Sequence, residues 1–339
     1  MNQSTAAQFA PFVATLGRGP GRSRALTREE AVTAFGMVLR GEADPHQVGA
    51  FLMLLRFRGE DAEEITGMVQ AARAHAGLGQ IHSGVDLDWP SYGAGRTRGA
   101  PWFLLSALAL AKSGVTVLMH GSNDFSSGIA VEDAMAALGL RPDGDLASVA
   151  ASLTARRFAY WPLRAMAPAL DGLLDMRRLF GLRSPVNTVA RLLNPADAPF
   201  GVDGVFHPPY IDVHLGVAER MHRRRLLVLK GGGGEAERMP LKSTSATVWD
   251  REAGRQELTL PAVEGLRPHP PTPDTPAAFA QVWRGESTPE TPLATIQATI
   301  ALALLAMDRT RDPAQAMELA ATIWAGRHRD DLGAPPLTG

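Results

Sequence analysis

The sequence predicts an α/β protein: a small all-helical N-terminal domain over residues 1–78, then a large α/β domain over 79–339 with a central, mostly parallel sheet. Three observations carry that expectation. Apolar residues recur at helical spacing through the first 77 positions. From about Gly84, short apolar runs alternate with helical ones, the order of a βαβ unit. With 339 residues, 45% of them hydrophobic, the chain is also long enough for two domains with a real core.

In the first domain, Thr27-Arg28-Glu29-Glu30 is a capping-box pattern, followed by Ala31, Phe35, Val38 and Leu39 at helical spacing. Asp44-Pro45 supplies an N-cap and a first-turn proline for a helix carrying Val48, Phe51, Leu52 and Leu55. Asp61 opens a third, with Ile65, Met68, Val69 and Ala72 on one side, and Gly41, Gly59 and Gly77 stand where each pattern stops. Beyond Gly84, Val85–Trp89 and Val115–Met119 are expected as parallel strands joined by a helix over Pro101–Lys112, with Val131–Leu138 as the next helix. Residues from about 156 to 190 are expected as helices packing on the N-terminal domain. Leu226–Leu229 is a buried strand, Ala246–Asp250 and Glu257–Leu260 form a hairpin turning near Gly254, and proline-rich Pro268–Pro276 is a loop. Pro292–Met307 and Pro313–Gly326 return to helix.

Composition excludes several classes. The absence of cysteine removes disulfide scaffolds, thiolate metal sites and cysteine nucleophiles. No run reaches the roughly 18 apolar residues of a membrane span. The opening MNQSTAAQFAPFVATLG lacks the layout of a signal peptide, so a cytoplasmic protein without membrane attachment is expected. The net charge of −1 argues against a histone-like polyanion binder, yet Arg156 to Lys242 holds 14 Lys and Arg against 8 Asp and Glu. One basic face on a near-neutral protein is thus an expectation.

The motifs follow the strands. Ser91-Tyr92-Gly93-Ala94-Gly95-Arg96-Thr97-Arg98-Gly99 is a glycine-bearing βα turn, where backbone amides, a helix N-terminus and two arginines favour a phosphate; the alternative is an ordinary connection with solvent-facing arginines. His120-Gly121-Ser122-Asn123 follows the second strand, on the side of an open sheet where ligands gather, or else His120 is a hydrogen-bonded strand-end histidine. Arg177, Arg178, Arg183 and Arg191 alternate with apolar residues, and Arg223-Arg224-Arg225 precedes a strand; both patterns also suit a solvated face or a helix end. Lys230-Gly231-Gly232-Gly233-Gly234-Glu235-Ala236-Glu237-Arg238 marks a close backbone approach or a mobile lid. Its cations Lys230 and Arg238, with Lys242, suggest an anion, while Glu235 and Glu237 are the candidates for a hard divalent ion. Zinc spacing, a nucleophile elbow, a P-loop and a complete dinucleotide fingerprint are absent.

Together, Thr27–Ala74, the Asp88–Gly99 turn, His120-Gly121, Glu132-Asp133 to Leu138-Gly139, Arg177–Leu182, Leu192-Leu193-Asn194-Pro195 and the final helices resemble the anthranilate phosphoribosyltransferase family, of glycosyltransferase family 3. The resemblance runs from about residue 25 to 326. It implies a nucleoside phosphorylase/phosphoribosyltransferase type of fold, a substrate cleft between the domains and a homodimer joined through the helical one. The departures matter as much. Where the family cradles the diphosphate of phosphoribosyl pyrophosphate with Gly-Thr-Gly-Gly-Asp, this chain has Ser91, Tyr92, Gly93, Ala94 and Gly95. The family's Lys-His-Gly-Asn reads Met119-His120-Gly121-Ser122, and its adjacent Asp-Glu magnesium pair has only Glu235 or Glu237 as a stand-in. The family's arginine before its Gly-Ile/Leu-Arg step survives as Arg177 or Arg178.

Losing one donor to developing negative charge costs about 2.7–4 kcal/mol of barrier, and several are missing together. The pattern of Asp88–Tyr92, Gly95–Gly99 and Lys230–Glu235 looks like a divergent, YbiB-like branch associated with sequence-independent nucleic-acid binding. The expectation is therefore a catalytically degenerate homodimer, without a cofactor, that binds DNA or RNA backbones along a basic groove. Arg96, Arg98, Arg177, Arg178, Arg183, Lys230 and Lys242 would contact phosphates, Gly93, Gly95, His120, Gly121 and Asn123 would frame them, and Arg156, Arg157 and Arg223–Arg225 would extend the footprint. The alternative is an active phosphoribosyltransferase with an altered acceptor, which would need Mg²⁺ at Glu235 or Glu237.

Overall fold

The computed structural model describes residues 3–19, 21–80, 84–93, 99–122, 124, 127–268, 275–329 and 332. Four helices come first: α1 (Gln3–Gly17), α2 (Arg28–Leu39), α3 (Pro45–Arg58) and α4 (Ala62–His75). The capping boxes at Thr27 and Asp61 both close, and Asp44 accepts the His46 amide at α3, so three of the four starts follow from local chemistry. The apolar positions expected to face inward are all buried.

The large domain runs β1 (Leu87–Ser91), α5 (Trp102–Lys112), β2 (Val117–Gly121), α6 (Val131–Ala137), α7 (Leu146–Arg156), β3 (Phe158–Pro162), α8 (Leu163–Met166), α9 (Pro168–Asp175), α10 (Arg177–Phe180), α11 (Val186–Arg191), β4 (Phe200–Val205), α12 (Tyr210–Arg220) and β5 (Arg225–Lys230). A 3₁₀ turn at Gly232–Gly234 precedes the hairpin β6 (Thr244–Asp250) and β7 (Gly254–Leu260). Helices α13 (Pro276–Arg284), α14 (Glu290–Ala306) and α15 (Pro313–Ala325) are the last elements among the described residues. The seven strands lie in the order β3-β2-β1-β4-β5-β6-β7, parallel through β5 and antiparallel in the last two pairs.

Alternation along the central strands divides the core in two. Leu118, Leu226 and Val228 face the layer built from α1–α4 and α8–α12, whereas Val117, Met119, Leu227 and Leu229 face α5, α6 and α13–α15. The small and large domains therefore share one apolar layer.

Three sequence expectations need correction. Strands β1 and β2 sit two residues later than the apolar runs, because Asp86 takes the Thr116 amide through its side chain at 2.8 Å and the ladder then continues through polar Ser91 and His120-Gly121. The 156–190 region is not all helix: Phe158–Pro162 is edge strand β3, whose terminal proline needs no partner on that side. β4 has no counterpart among the expected strands because Gly201, Asp203 and Gly204 interrupt its apolar pattern. A side chain at Gly201 would run into the Arg223 guanidinium, and one at Gly204 into the Glu235 backbone.

Helices α2 and α4 meet where Gly67 lies under the Arg28 carbonyl, and an added methyl would stand 2.7 Å from the Ala31 side chain. Gly67→Ala gains about 1 kcal/mol of helix propensity but is opposed by an overpacking cost of about 1–3 kcal/mol. The neighbour is backbone and cannot swing aside, so net destabilisation is expected. A lowered urea midpoint with an unchanged slope would show it; an unchanged or raised midpoint would contradict this packing.

Candidate functional site

Parallel strands deliver their C-terminal ends to one edge, and polar groups collect there. Ser91 ends β1 and leads into Tyr92 and Gly93, His120 and Gly121 end β2, Val205 ends β4 and is followed by Phe206, and Lys230 ends β5. Gly121 packs directly on the Ser91 carbonyl, so this strand-end corner has no room for a side chain.

A buried polar chain runs beneath that edge. Arg223 reaches over Gly201 and donates to Asp88 Oδ2 at 2.9 Å. His120 Nε2 lies 3.2 Å from Asp88 Oδ1, and His120 Nδ1 lies 2.9 Å from the Tyr92 hydroxyl. Asp88 and His120 are wholly buried. Burial by itself would raise the Asp88 carboxyl, but the Arg223 charge and His120 overcome it and hold the group below its ordinary range. Burial drives the Tyr92 phenol well above its usual value, so it stays protonated. Arg191 fixes the plug from the other side, donating to the Tyr92 carbonyl at 2.7 Å and the Gly234 carbonyl at 2.8 Å.

Above the chain lies a cationic cleft of about 50 Å³ lined by Arg56, Arg183, Arg191, Phe206, Tyr210 and His214, among others. Arg183 stacks on Phe206 at 5.0 Å. Burial lowers its guanidinium to about 10, helped by the charges of Arg191, Arg177 and Arg56; it remains a cation at neutral pH. Arg56 donates to the Tyr210 hydroxyl, which in turn donates to Glu60 at 3.1 Å. His214, buried on α12, lies with Nδ1 2.7 Å from Asp203 Oδ2 on β4.

The sequence candidates divide accordingly. Arg183 lines the cleft with Arg56 and Arg191, and the Arg177 charge is near enough to act on it. Lys230, exposed, pairs across the ladder with Val205, which lines the cleft. Lys242 is exposed just before β6, whose first residues run beside the end of β5. Gly93 and Gly121 belong to the edge, while His120 is consumed inside the buried chain. Gly95, Arg96, Arg98 and Asn123 lie outside the described residues.

Other candidates serve the fold. Arg178 pairs with Asp175 on the exterior, and Arg238 is buried against the Pro261 carbonyl. Arg156 is buried on Ser152 and the Phe158 carbonyl, and Arg157 ends α7 in a left-handed conformation. The Arg223–Arg225 run opens β5, about 16 Å from Lys230 at roughly 3.3 Å per residue, with Arg223 and Arg225 buried on Asp88 and Asp250. It cannot extend a footprint at the opposite edge. The four glycines form an ordered turn, with Gly233 and Gly234 at φ of 66° and 81°, that returns the chain beside β4.

The two carboxylates considered for Mg²⁺ point to different tasks. Glu235 is buried and accepts from Ser91 Oγ at 3.3 Å, whereas Glu237 caps α5 by accepting the Phe103 amide at 2.9 Å. Among the described residues no three acidic or histidine side chains gather as a divalent ion requires, so these residues do not fit the ion. No described helix is long and apolar enough to cross a membrane. Arg56, Asp203, Tyr210 and His214 were missed, since only the pairing of α3, β4 and α12 brings them together.

Residues 10–76 match the helical-bundle domain of the glycosyl transferase family and residues 103–324 its α/β domain. An anthranilate phosphoribosyltransferase from Myxococcus xanthus is 34% identical over 265 residues, covering 74% of this chain and 77% of that one. The enzyme of that name from Beijerinckia indica is 30% identical over 260 residues, covering 76% and 74%. Among solved structures, anthranilate phosphoribosyltransferase from Thermus thermophilus superposes with a TM-score of 0.75 at 24% identity over 94% of both chains. The Saccharomyces cerevisiae enzyme in complex with PRPP and Mg gives 0.76 at 16% identity, also over 94% of both. At those identities the superpositions speak for the fold.

The Arg223–Asp88 pair yields a prediction. A carboxyl held below its ordinary value contributes stability that is fully present above the unfolded pKa of about 3.9 and is lost as pH falls through the folded value. Arg223→Met strands the buried carboxylate, at an expected cost of about 3–5 kcal/mol at pH 7. Its deficit relative to the parent should shrink as pH falls, because burial now raises the carboxyl and protonation neutralises the stranded charge. Urea titrations from pH 3 to 8 would read both, and parallel pH profiles would refute the pairing.

Proposed function

The chain belongs to the glycosyl transferase family that joins a helical-bundle domain to an α/β domain, and from that premise we propose a phosphoribosyltransferase-like protein whose transfer chemistry has lapsed and which binds nucleic-acid backbones. One observation carries this reading: Arg56, Arg183 and Arg191 line one cleft at the sheet edge, with the Arg177 charge acting on Arg183 and exposed Lys230 paired to the wall residue Val205. The groups a transferase would use there are engaged elsewhere. His120 is bonded within the interior, Tyr92 fills the first strand turn, and Glu237 caps a helix. Guanidinium groups in such a row hold phosphates without reading bases. The reading includes a homodimer joined through the helical domain, where Phe57, 92% exposed at the end of α3, is apolar surface for a second copy to cover.

A second reading is an active phosphoribosyltransferase with an altered acceptor, favoured by the identity to enzymes named for that activity. It requires phosphoribosyl pyrophosphate to bind with Mg²⁺, which the carboxylate arrangement does not favour.

Two measurements separate them. In gel shifts with mixed-sequence oligonucleotides, about five phosphate contacts give an expected slope of log K against log salt of about −3.5 on single strands and −4.5 on duplex. Lys230→Gln should reduce that slope by about 1 with no change in sequence preference. Binding indifferent to salt would refute the groove. Calorimetry with phosphoribosyl pyrophosphate should show no Mg²⁺-dependent heat; micromolar, Mg²⁺-dependent binding would establish the enzyme instead.

A further inference from the structure

The cleft beside Phe206 holds more than a backbone-tracking groove needs. It is small: about 50 Å³ admits a few waters or one tetrahedral group, at about 10–15 Å³ per water. Its charged lining is recessed. Arg191 is 7% and His214 1% exposed, so these two meet a phosphate only within the cleft, while Arg56 and Arg183 are half-buried at its mouth. Arg191 bonds only carbonyl oxygens among the described residues, so its charge is not cancelled by a carboxylate there.

His214 adds orientation. With Nδ1 held by Asp203 the imidazole plane is fixed, and because His214 lines the cleft its other nitrogen is the one left for an occupant. Asp203 is itself fully buried, and its Oδ1 has no hydrogen-bond partner among the described residues. A buried carboxylate retained with an unsatisfied oxygen is costly, and holding an imidazole toward a ligand is a reason to retain it. Ser184, Asn187 and Thr188 on the same wall supply neutral donors. Glu60 is the nearby carboxylate, and the Tyr210 hydroxyl lies between it and Arg56.

We propose that this cleft is a phosphomonoester site: it takes a terminal phosphate group, with Arg56, Arg183 and Arg191 around the oxygens and His214 Nε2 against one of them. The assignment stands apart from the nucleic-acid reading, since the terminal phosphate of an oligonucleotide and that of a small sugar phosphate present the same chemistry. A phosphodiester within a strand carries a single charge and two bulky substituents, so it offers these cations fewer charge-assisted bonds.

The test compares one 12-mer carrying a 5′-phosphate, a 3′-phosphate or neither, by fluorescence anisotropy at fixed salt, with inorganic phosphate and ribose 5-phosphate assayed by thermal shift. The full-length protein is used throughout. Charge-assisted hydrogen bonds to a dianion predict about tenfold tighter binding of one terminally phosphorylated strand than of the unphosphorylated one. His214→Gln and Arg56→Gln should collapse that ratio toward one. Asp203→Asn, which keeps the volume and frees the ring, should reduce it, while Lys242→Gln should weaken all strands equally. Melting curves of each variant establish that it is folded.

If all strands bind equally and neither small phosphate raises the melting temperature, the cleft assignment is overturned, and the basic groove survives on its own salt dependence. If no strand binds but ribose 5-phosphate or inorganic phosphate stabilises the parent and not His214→Gln, the cleft stands and the groove reading fails.

Discussion

The contact on which the rest depends is the ion pair between Arg223 and Asp88. Neither group can be buried alone without a penalty of several kcal/mol, so each dictates what surrounds it. The guanidinium must cross β4, which accounts for Gly201. The carboxylate must meet an imidazole on the neighbouring strand, which aligns β1 with β2 and directs His120 away from solvent. Tyr92 then completes the imidazole's bonds, and Arg191 completes Tyr92's. One buried charge thereby sets the register of three strands and the shape of the edge above them.

Much of the fold was legible because it is encoded locally. The caps at Thr27, Asp44 and Asp61 and the apolar spacing behind them act within a single turn of chain. The βαβ alternation and the hairpin turning at Gly254 likewise need only neighbouring residues. What escaped was decided by distant partners. β4 looks unlike a strand until Arg223 and Glu235 occupy the space its glycines leave. β3 reads as helix because arginines flank its aromatic run, although Arg156 turns inward to cap that strand's own carbonyl.

The site shows the same divide. Arg183 and Lys230 were readable as basic residues beside structural transitions, and they do lie near one another. The Arg223–Arg225 run carried a stronger basic signal and was misleading, because charge in a sequence does not say which end of a strand it occupies or what it neutralises. Asp203 and His214 gave no signal. A lone acid in a glycine-rich stretch and a lone histidine in a helix acquire meaning only when α12 lies across β4.

The interior seat of Tyr92 also acts as a ratchet on the mutational paths open to this chain. Any substitution that clears the ring away leaves the His120 nitrogen short of a partner and takes from Arg191 the ring face it lies over, though not the Tyr92 carbonyl, and changing His120 first leaves the phenol stranded. A single replacement that reopens the corner therefore gives up a buried hydrogen bond, so such an intermediate is less stable than its parent. A descendant of this protein reaches a roomier corner only by several coordinated exchanges, whereas exposed cations such as Lys230 and Lys242 can be added, moved or lost one at a time.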